Sequence, residues 1–360
     1  METPDSKNRN EDYVVSCKIL LNQLAREENG RLKLMLLDDL LYKASKFRRI
    51  EERRAWALEA TSCFAPEPVR ERVRQRRLLE LSGQKRQTDI AVVTIKRTEL
   101  YPTKVAFGID PDRREDYEDN GLRFWETEIP TSDGRDKARV VVTMIGEPGD
   151  YTCAAGCSRL FDSYNIGLCI LVGIAAGVQE KVNLGDVVAA ELVLDYERAR
   201  LETTGSKKRP VPYPLQIPIA RDLAHYDASR CGWHDTLLHH LKNFIEDPNS
   251  SVPEEINQSW KPKYDTGVIL SGAKLLADGK LPEMREEYHD RTRAAEMEGA
   301  GFARFCEEYR KPWLVFRGIS DYGEPDKHTQ EKWQEVSSLA AATAAYIFLT
   351  KVYRRREEEF

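Results

Sequence analysis

The chain has 360 residues, with 55 Lys or Arg against 60 Asp or Glu and a formal net charge of −5 at pH 7. With 41% hydrophobic and 32% charged residues it reads as a soluble globular protein, with room for one large α/β domain and something smaller. The longest strongly apolar stretch, Leu168 to Val178, is too short to span a bilayer, the N-terminus lacks a charged-then-apolar signal layout, and the seven cysteines show no paired spacing, so a cytoplasmic protein away from membranes is expected.

In chain order, the first region is predicted to be all helix. Tyr13 to Arg26 places Val15, Ile19, Leu20 and Leu24 at helical spacing, and Asn29-Gly30 ends it. A second stripe runs from Arg31 to Lys46 through Leu32, Met35, Leu36, Leu40 and Leu41. A third helix spans about Ile50 to Phe64, before Pro66 and Pro68, and a fourth runs from about Glu67 to Leu81. Residues 1–87 hold 19 Lys+Arg against 14 Asp+Glu, whereas the rest holds 36 against 46. The charge break and the polar stretch Gly83 to Gln87 predict a domain boundary: 1–87 a helical adaptor or regulatory domain, 88–353 a catalytic domain, 354–360 a charged tail. The run Arg70, Arg72, Arg74, Arg76 and Arg77 alternates with Glu71 and precedes Glu80, the pattern of a solvated face more than of a nucleic-acid surface. With no catalytic constellation there, recruiting a protein partner or self-association is the favoured reading.

From residue 88 onward strands alternate with helices, so a mixed or mainly parallel twisted sheet flanked by helices is expected. Asp89 to Thr94 is a strand, with Glu99 soon after it. Leu171 to Gly177 is an apolar strand end leading into a glycine-rich turn, Asn183 to Val188 enters another strand, and Thr266 to Gly272 is a third. Glu296-Met297-Glu298-Gly299 puts Glu298 at a helix start, and Val315 to Asp321 is an apolar run ending in Arg, Ser and Asp. Trp333 to Leu349 is the last helix. Ligands in such sheets bind beyond strand ends. Carboxylates and an arginine placed there suit a reaction that must hold a polar substrate and move a proton. Cys231, His234, His239 and His240 lack a convincing metal-ligand spacing, and Cys153 and Cys157 read as buried thiols on one helix face.

These segments, in this order, resemble the purine nucleoside phosphorylase and methylthioadenosine nucleosidase superfamily over roughly residues 88–353. The resemblance implies cleavage of an N-glycosidic bond with no cofactor and no metal. Asp321 matches the acid that protonates the purine at N7, a role for which burial should favour its protonated form. Glu298 matches the glutamate that accepts the ribose 2′- and 3′-hydroxyls, and its charge would favour a cationic sugar. Met297 would pack on the ribose, Ser271, Leu275 and Leu276 would line the base, and Gly173, Ile174, Ala175 and Ala176 would form the central turn. The aromatic that the family often places near Leu275 is absent.

Phosphorylases of this family commonly carry an arginine two residues before the first glycine of the turn and a Ser or Thr just after it. This chain has Leu171 and Ile174, which leaves a phosphate dianion without those side chains. Nucleosidases instead activate water with a glutamate matching Glu99, helped by an arginine matching Arg317, so hydrolysis is expected. Lys96 and Arg97, and the basic loop Thr203 to Pro210, suit a nucleotide such as AMP or ATP over a free nucleoside. A phosphate-dependent phosphorylase and a silent nucleotide sensor stay open as alternatives. Family members are commonly homo-oligomers, and short helical modules precede enzymatic effectors in bacterial immune systems, an analogy only.

Overall fold

The protein is described from a computed structural model covering residues 17–23, 26, 36, 40, 85–203, 205–245, 252, 253, 255, 256, 260–325 and 327–354. It divides into two compact units, Met1–Arg86 and Gln87–Phe360. In the first, residues 17–23 are helical, inside the first predicted helix; Cys17 and Leu20 are buried, whereas Ile19, placed on the apolar stripe by its spacing, is exposed. The third and fourth predicted helices, most of the second, and the tail beyond Arg354 lie outside the described residues. Among the described residues no helix is long and apolar enough to cross a membrane.

The second unit is built on a ten-stranded mixed sheet. Strand β1 (Arg86–Thr94) and helix α1 (Arg97–Ala106) are followed by β2 (Tyr117–Asp119), β3 (Leu122–Pro130), β4 (Lys137–Met144) and helix α2 (Asp150–Ser163). Then come β5 (Tyr164–Gly177), β6 (Val187–Asp195), the small hairpin β7 (Ala199–Glu202) and β8 (Gly205–Lys208), β9 (Val211–Pro214), α3 (Ile217–Ala224) and α4 (Trp233–Ile245). The chain closes with β10 (Tyr264–Ser271), α5 (Leu281–Tyr288), β11 (Thr292–Glu296), α6 (Gly299–Glu308), β12 (Trp313–Asp321), a 3-10 segment (Lys327–Trp333) and α7 (Gln334–Lys351).

The sheet order is β11-β10-β6-β12-β5-β1-β4-β3-β2, with β9 on β6 and an extra antiparallel pairing of β11 with β5. That last pairing closes β5, β12, β6, β10 and β11 into a ring. Closure explains one departure from the sequence reading. The stretch Gly173 to Gly177 is not a turn: it continues β5, with Arg317 opposite Gly173 and Ala294 opposite Gly177. Its backbone groups find ladder partners on two sides, which holds it extended.

The central strands earn their position by composition. In β12 every residue from Trp313 to Ser320 is buried, as a strand covered on both faces requires. Helix α7, rich in alanine, is buried over most of its length and packs on β12, β5 and α1. Cys153 and Cys157 are both buried in α2.

Candidate active site

The ends of β5, β11 and β12 and the start of α1 meet at a cleft of about 240 Å³. Of the residues expected at a site, Lys96, Glu99, Ile174, Ala175, Ala176, Leu275, Leu276, Met297, Glu298 and Asp321 all line it. Gly173 and Arg317 stand directly behind it, in contact with Glu99. Arg97 is exposed and lines no part of it, and Ser271 is wholly buried below α6. A larger cavity of about 720 Å³, between Val105–Gly108, the turn Thr131–Gly134 and the end of α7, shares no lining residue with this cleft.

Arg317 organises the site. Its side chain is fully buried, and Nη2 donates to Glu296 and, at 3.1 Å, to Glu298 Oε2. Nη1 lies 3.8 Å from Glu99 Oε1. Burial alone would depress the guanidinium, but Glu296, Glu298 and Glu99 outweigh it and hold the group above its ordinary value, so it stays charged.

Glu99 is also buried, and it is not a surface partner of Lys96 and Arg97. Its Oε2 accepts the backbone N–H groups of Ile95 (2.7 Å) and Lys96 (3.0 Å), while Oε1 accepts that of Ile174 (3.0 Å). It therefore ties the start of α1 to β5 and presents a fixed carboxylate beside Ile174. A methyl group on Gly173 would sit 2.3 Å from both Arg317 Nη1 and Glu99 Oε1, so glycine there is a requirement of close approach.

Glu298 occupies the N-cap position of α6, yet its side chain does not cap the helix. It accepts Gly149 N–H at 3.0 Å through Oε1 and Arg317 through Oε2. Burial raises its carboxyl to about 7; Arg317 opposes the shift, and Glu296 and Glu99 add to it. The cap is supplied by Glu296, which accepts Glu298 N–H (3.0 Å) and Gly299 N–H (2.8 Å). Sequence reasoning passed over Glu296; a carboxylate two residues before Glu298, at a strand end opening onto a helix, was the available signal.

Asp321 ends β12. Its Oδ1 accepts Gly323 N–H and its Oδ2 accepts the Ser320 hydroxyl, each at 2.9 Å. The side chain is half-buried, less enclosed than the expected acid. Lys274, also unforeseen, is exposed, lines the cleft, and pairs with Glu197 at 2.9 Å. The basic loop expected nearby folds as the hairpin β7–β8, where Lys208 pairs with Glu287 and lies over the Tyr288 ring; none of Lys207, Lys208 and Arg209 lines the cleft. His240 accompanies none of these groups: it contacts Thr343 Oγ1 at 3.2 Å, and the described residues contain no group of three or more ligands able to hold a metal.

Such a cleft can hold a diol on one carboxylate, accept a proton from water on another, and offer an acid on a third. The sequence profile of the phosphorylase superfamily matches residues 113–353. An ATP nucleosidase of Escherichia coli is 31% identical over 266 residues, 72% of this chain and 50% of the relative. A 5′-methylthioadenosine/S-adenosylhomocysteine nucleosidase of Mycobacterium bovis is 27% identical over 217 residues, 58% of this chain and 79% of the relative. The structure of a nucleosidase of that second kind from Colwellia psychrerythraea, in complex with adenine, shares the fold: the TM-score is 0.51 at 20% identity, covering 74% of this chain and 96% of that one. The chain spans about half the length of the curated relatives it matches first.

Proposed function

The chain belongs to the phosphorylase superfamily, and from that premise we propose that it hydrolyses the N-glycosidic bond of a purine nucleotide or nucleoside, with water as the nucleophile. The carrying observation is the charge of the site: three carboxylates, Glu99, Glu296 and Glu298, face one buried guanidinium, that of Arg317. Their excess negative charge disfavours a phosphate dianion as co-substrate and tolerates neutral water. Leu171 is buried in the core and Ile174 lines the cleft, so neither offers phosphate a donor side chain.

In this reading the ribose 2′- and 3′-hydroxyls donate to Glu298. As the bond between C1′ and N9 breaks, Asp321 delivers a proton to N7 and the electron pair leaves with the base. Water adds to C1′, and its proton passes to Glu99, whose carboxylate is held in place by three backbone N–H groups. The negative cluster stabilises the positive charge developing on the sugar. Lys96 and Lys274 favour a 5′-phosphorylated substrate, in keeping with the similarity to an ATP nucleosidase. Residues 1–87 are read as an adaptor for a protein partner or a second copy, in a cytoplasmic, regulated effector that works as a homo-oligomer.

The test is chromatographic release of free base from ATP, AMP, adenosine, methylthioadenosine and inosine, with and without phosphate. Release without phosphate is expected, and Asp321→Asn should lower it by about 10² to 10⁴ while substrate still binds. A strict phosphate requirement would overturn hydrolysis. No release from any substrate would point to a silent effector that awaits its activator, or to a sensor.

A further inference from the structure

An α-helix begins with backbone N–H groups that have no partner inside the helix. At α6 four successive ones are satisfied by side chains from three different elements. Glu296 takes Glu298 N–H and Gly299 N–H, as described above. Ser271 Oγ, from the end of β10, takes Ala300 N–H at 2.8 Å, and Asp150 Oδ1, from the first residue of α2, takes Gly301 N–H at 2.9 Å. Ser271 in turn donates to Asp150 Oδ1 at 3.3 Å. The approach is tight: a methyl group on Gly301 would lie 2.2 Å from Asp150 O.

Asp150 follows Gly149, whose N–H is held 3.0 Å from Glu298 Oε1. The same aspartate that clamps the start of α2 onto α6 thereby fixes the turn that orients Glu298. We infer that Asp150 is a positioning residue for ribose recognition: it locks Gly149 N–H onto Glu298, so that one carboxylate oxygen is oriented toward the ribose diol and the helix leaves that side chain free of capping. The inference rests on the reading of Glu298 as the ribose acceptor. Its physical basis is that a charge-assisted hydrogen bond from a rigid donor holds a carboxylate to one rotamer, whereas a loose turn does not.

Full-length Asp150→Ala and Asp150→Asn are compared with wild type on a ribonucleotide and on its 2′,3′-dideoxy analogue. Asparagine keeps the Oδ1 acceptor for Gly301 N–H; alanine removes it. For Asp150→Ala, kcat/KM on the ribose substrate should fall about 10- to 100-fold. On the dideoxy analogue it should fall less than about threefold, because the interaction with Glu298 is already missing there. Asp150→Asn should stay within about threefold of wild type on both. Equal losses on the two substrates, or no loss on either, would overturn the inference. A crystal structure of Asp150→Ala decides it independently of activity: a displaced Gly149 turn supports it, and Gly149 N–H still within hydrogen-bond distance of Glu298 overturns it. Failure of the hydrolase reading is a separate result, seen in wild type itself as base release that requires phosphate or as no release.

Discussion

Replacing Arg317 with methionine keeps much of its volume and removes the only cation that faces Glu99, Glu296 and Glu298 among the described residues. At an effective dielectric of about 20, a unit-charge pair 3.1 Å apart, as Arg317 and Glu298 are, attracts by roughly 5 kcal/mol. Desolvation of the two groups offsets part of that in the native protein. The variant loses the attraction and keeps the buried carboxylates, for which a net cost of about 3–5 kcal/mol is expected, a large part of a usual folding stability of about 5–15 kcal/mol. The sign with pH follows from the same geometry. Arg317 opposes the rise at the Glu298 carboxyl, so without the guanidinium that group binds its proton more tightly still, and the deficit is greatest near pH 8 and shrinks near pH 5. Urea unfolding of wild type and Arg317→Met at both pH values, with base release assayed alongside, measures this. A deficit below about 1 kcal/mol, or one that is the same at pH 5 and pH 8, would refute a site organised by Arg317.

Three further outcomes are expected. Gly173→Ala should lower kcat/KM by about 10² or more, because its methyl group displaces both Arg317 and Glu99; a near-normal rate in a folded variant would contradict the close approach. On the proposed reading that Glu298, its carboxyl raised to about 7, binds ribose as the anion, kcat/KM should rise with unit slope below about pH 7, level off above it, and lose that limb in Glu298→Gln. The stability linked to the same group has the opposite sign: it is present in full below the ordinary 4.5 and is lost as pH rises through about 7, which melting temperatures across that range would show. Finally, Lys96→Ala combined with Lys274→Ala should reduce kcat/KM for ATP about 10- to 100-fold and that for adenosine by less than about threefold; equal losses would sink their assignment to the phosphates.

What was legible beforehand depended on how local its cause is. Uninterrupted apolar runs marked β5 and β12, and the polar residues at their ends marked where a site would form, so Asp321 and Arg317 could be named from the order of residues alone. Glu298 was placed at a helix start for the right reason, although the helix is capped by Glu296. Gly173 to Gly177 misled because glycines suggest a turn, while strand pairing across the closed ring keeps them extended. The basic loop misled for a related reason: charge in a sequence does not say which way a hairpin points, and Lys208 points to Glu287.

The sequence by itself determined the alternation of strands and helices, the apolar core elements, and the supply of acidic and basic residues at their ends, since these depend on periodicity and composition over a few residues. Only the tertiary structure decided which of those groups meet. Glu99 and Arg317 are more than two hundred positions apart and touch because α1 starts beside β5, which β12 flanks. Asp150 and Gly301 are joined only where the starts of two helices abut. Such contacts come from sheet closure and helix packing, whose free energy belongs to the assembled core and to no short segment of the chain.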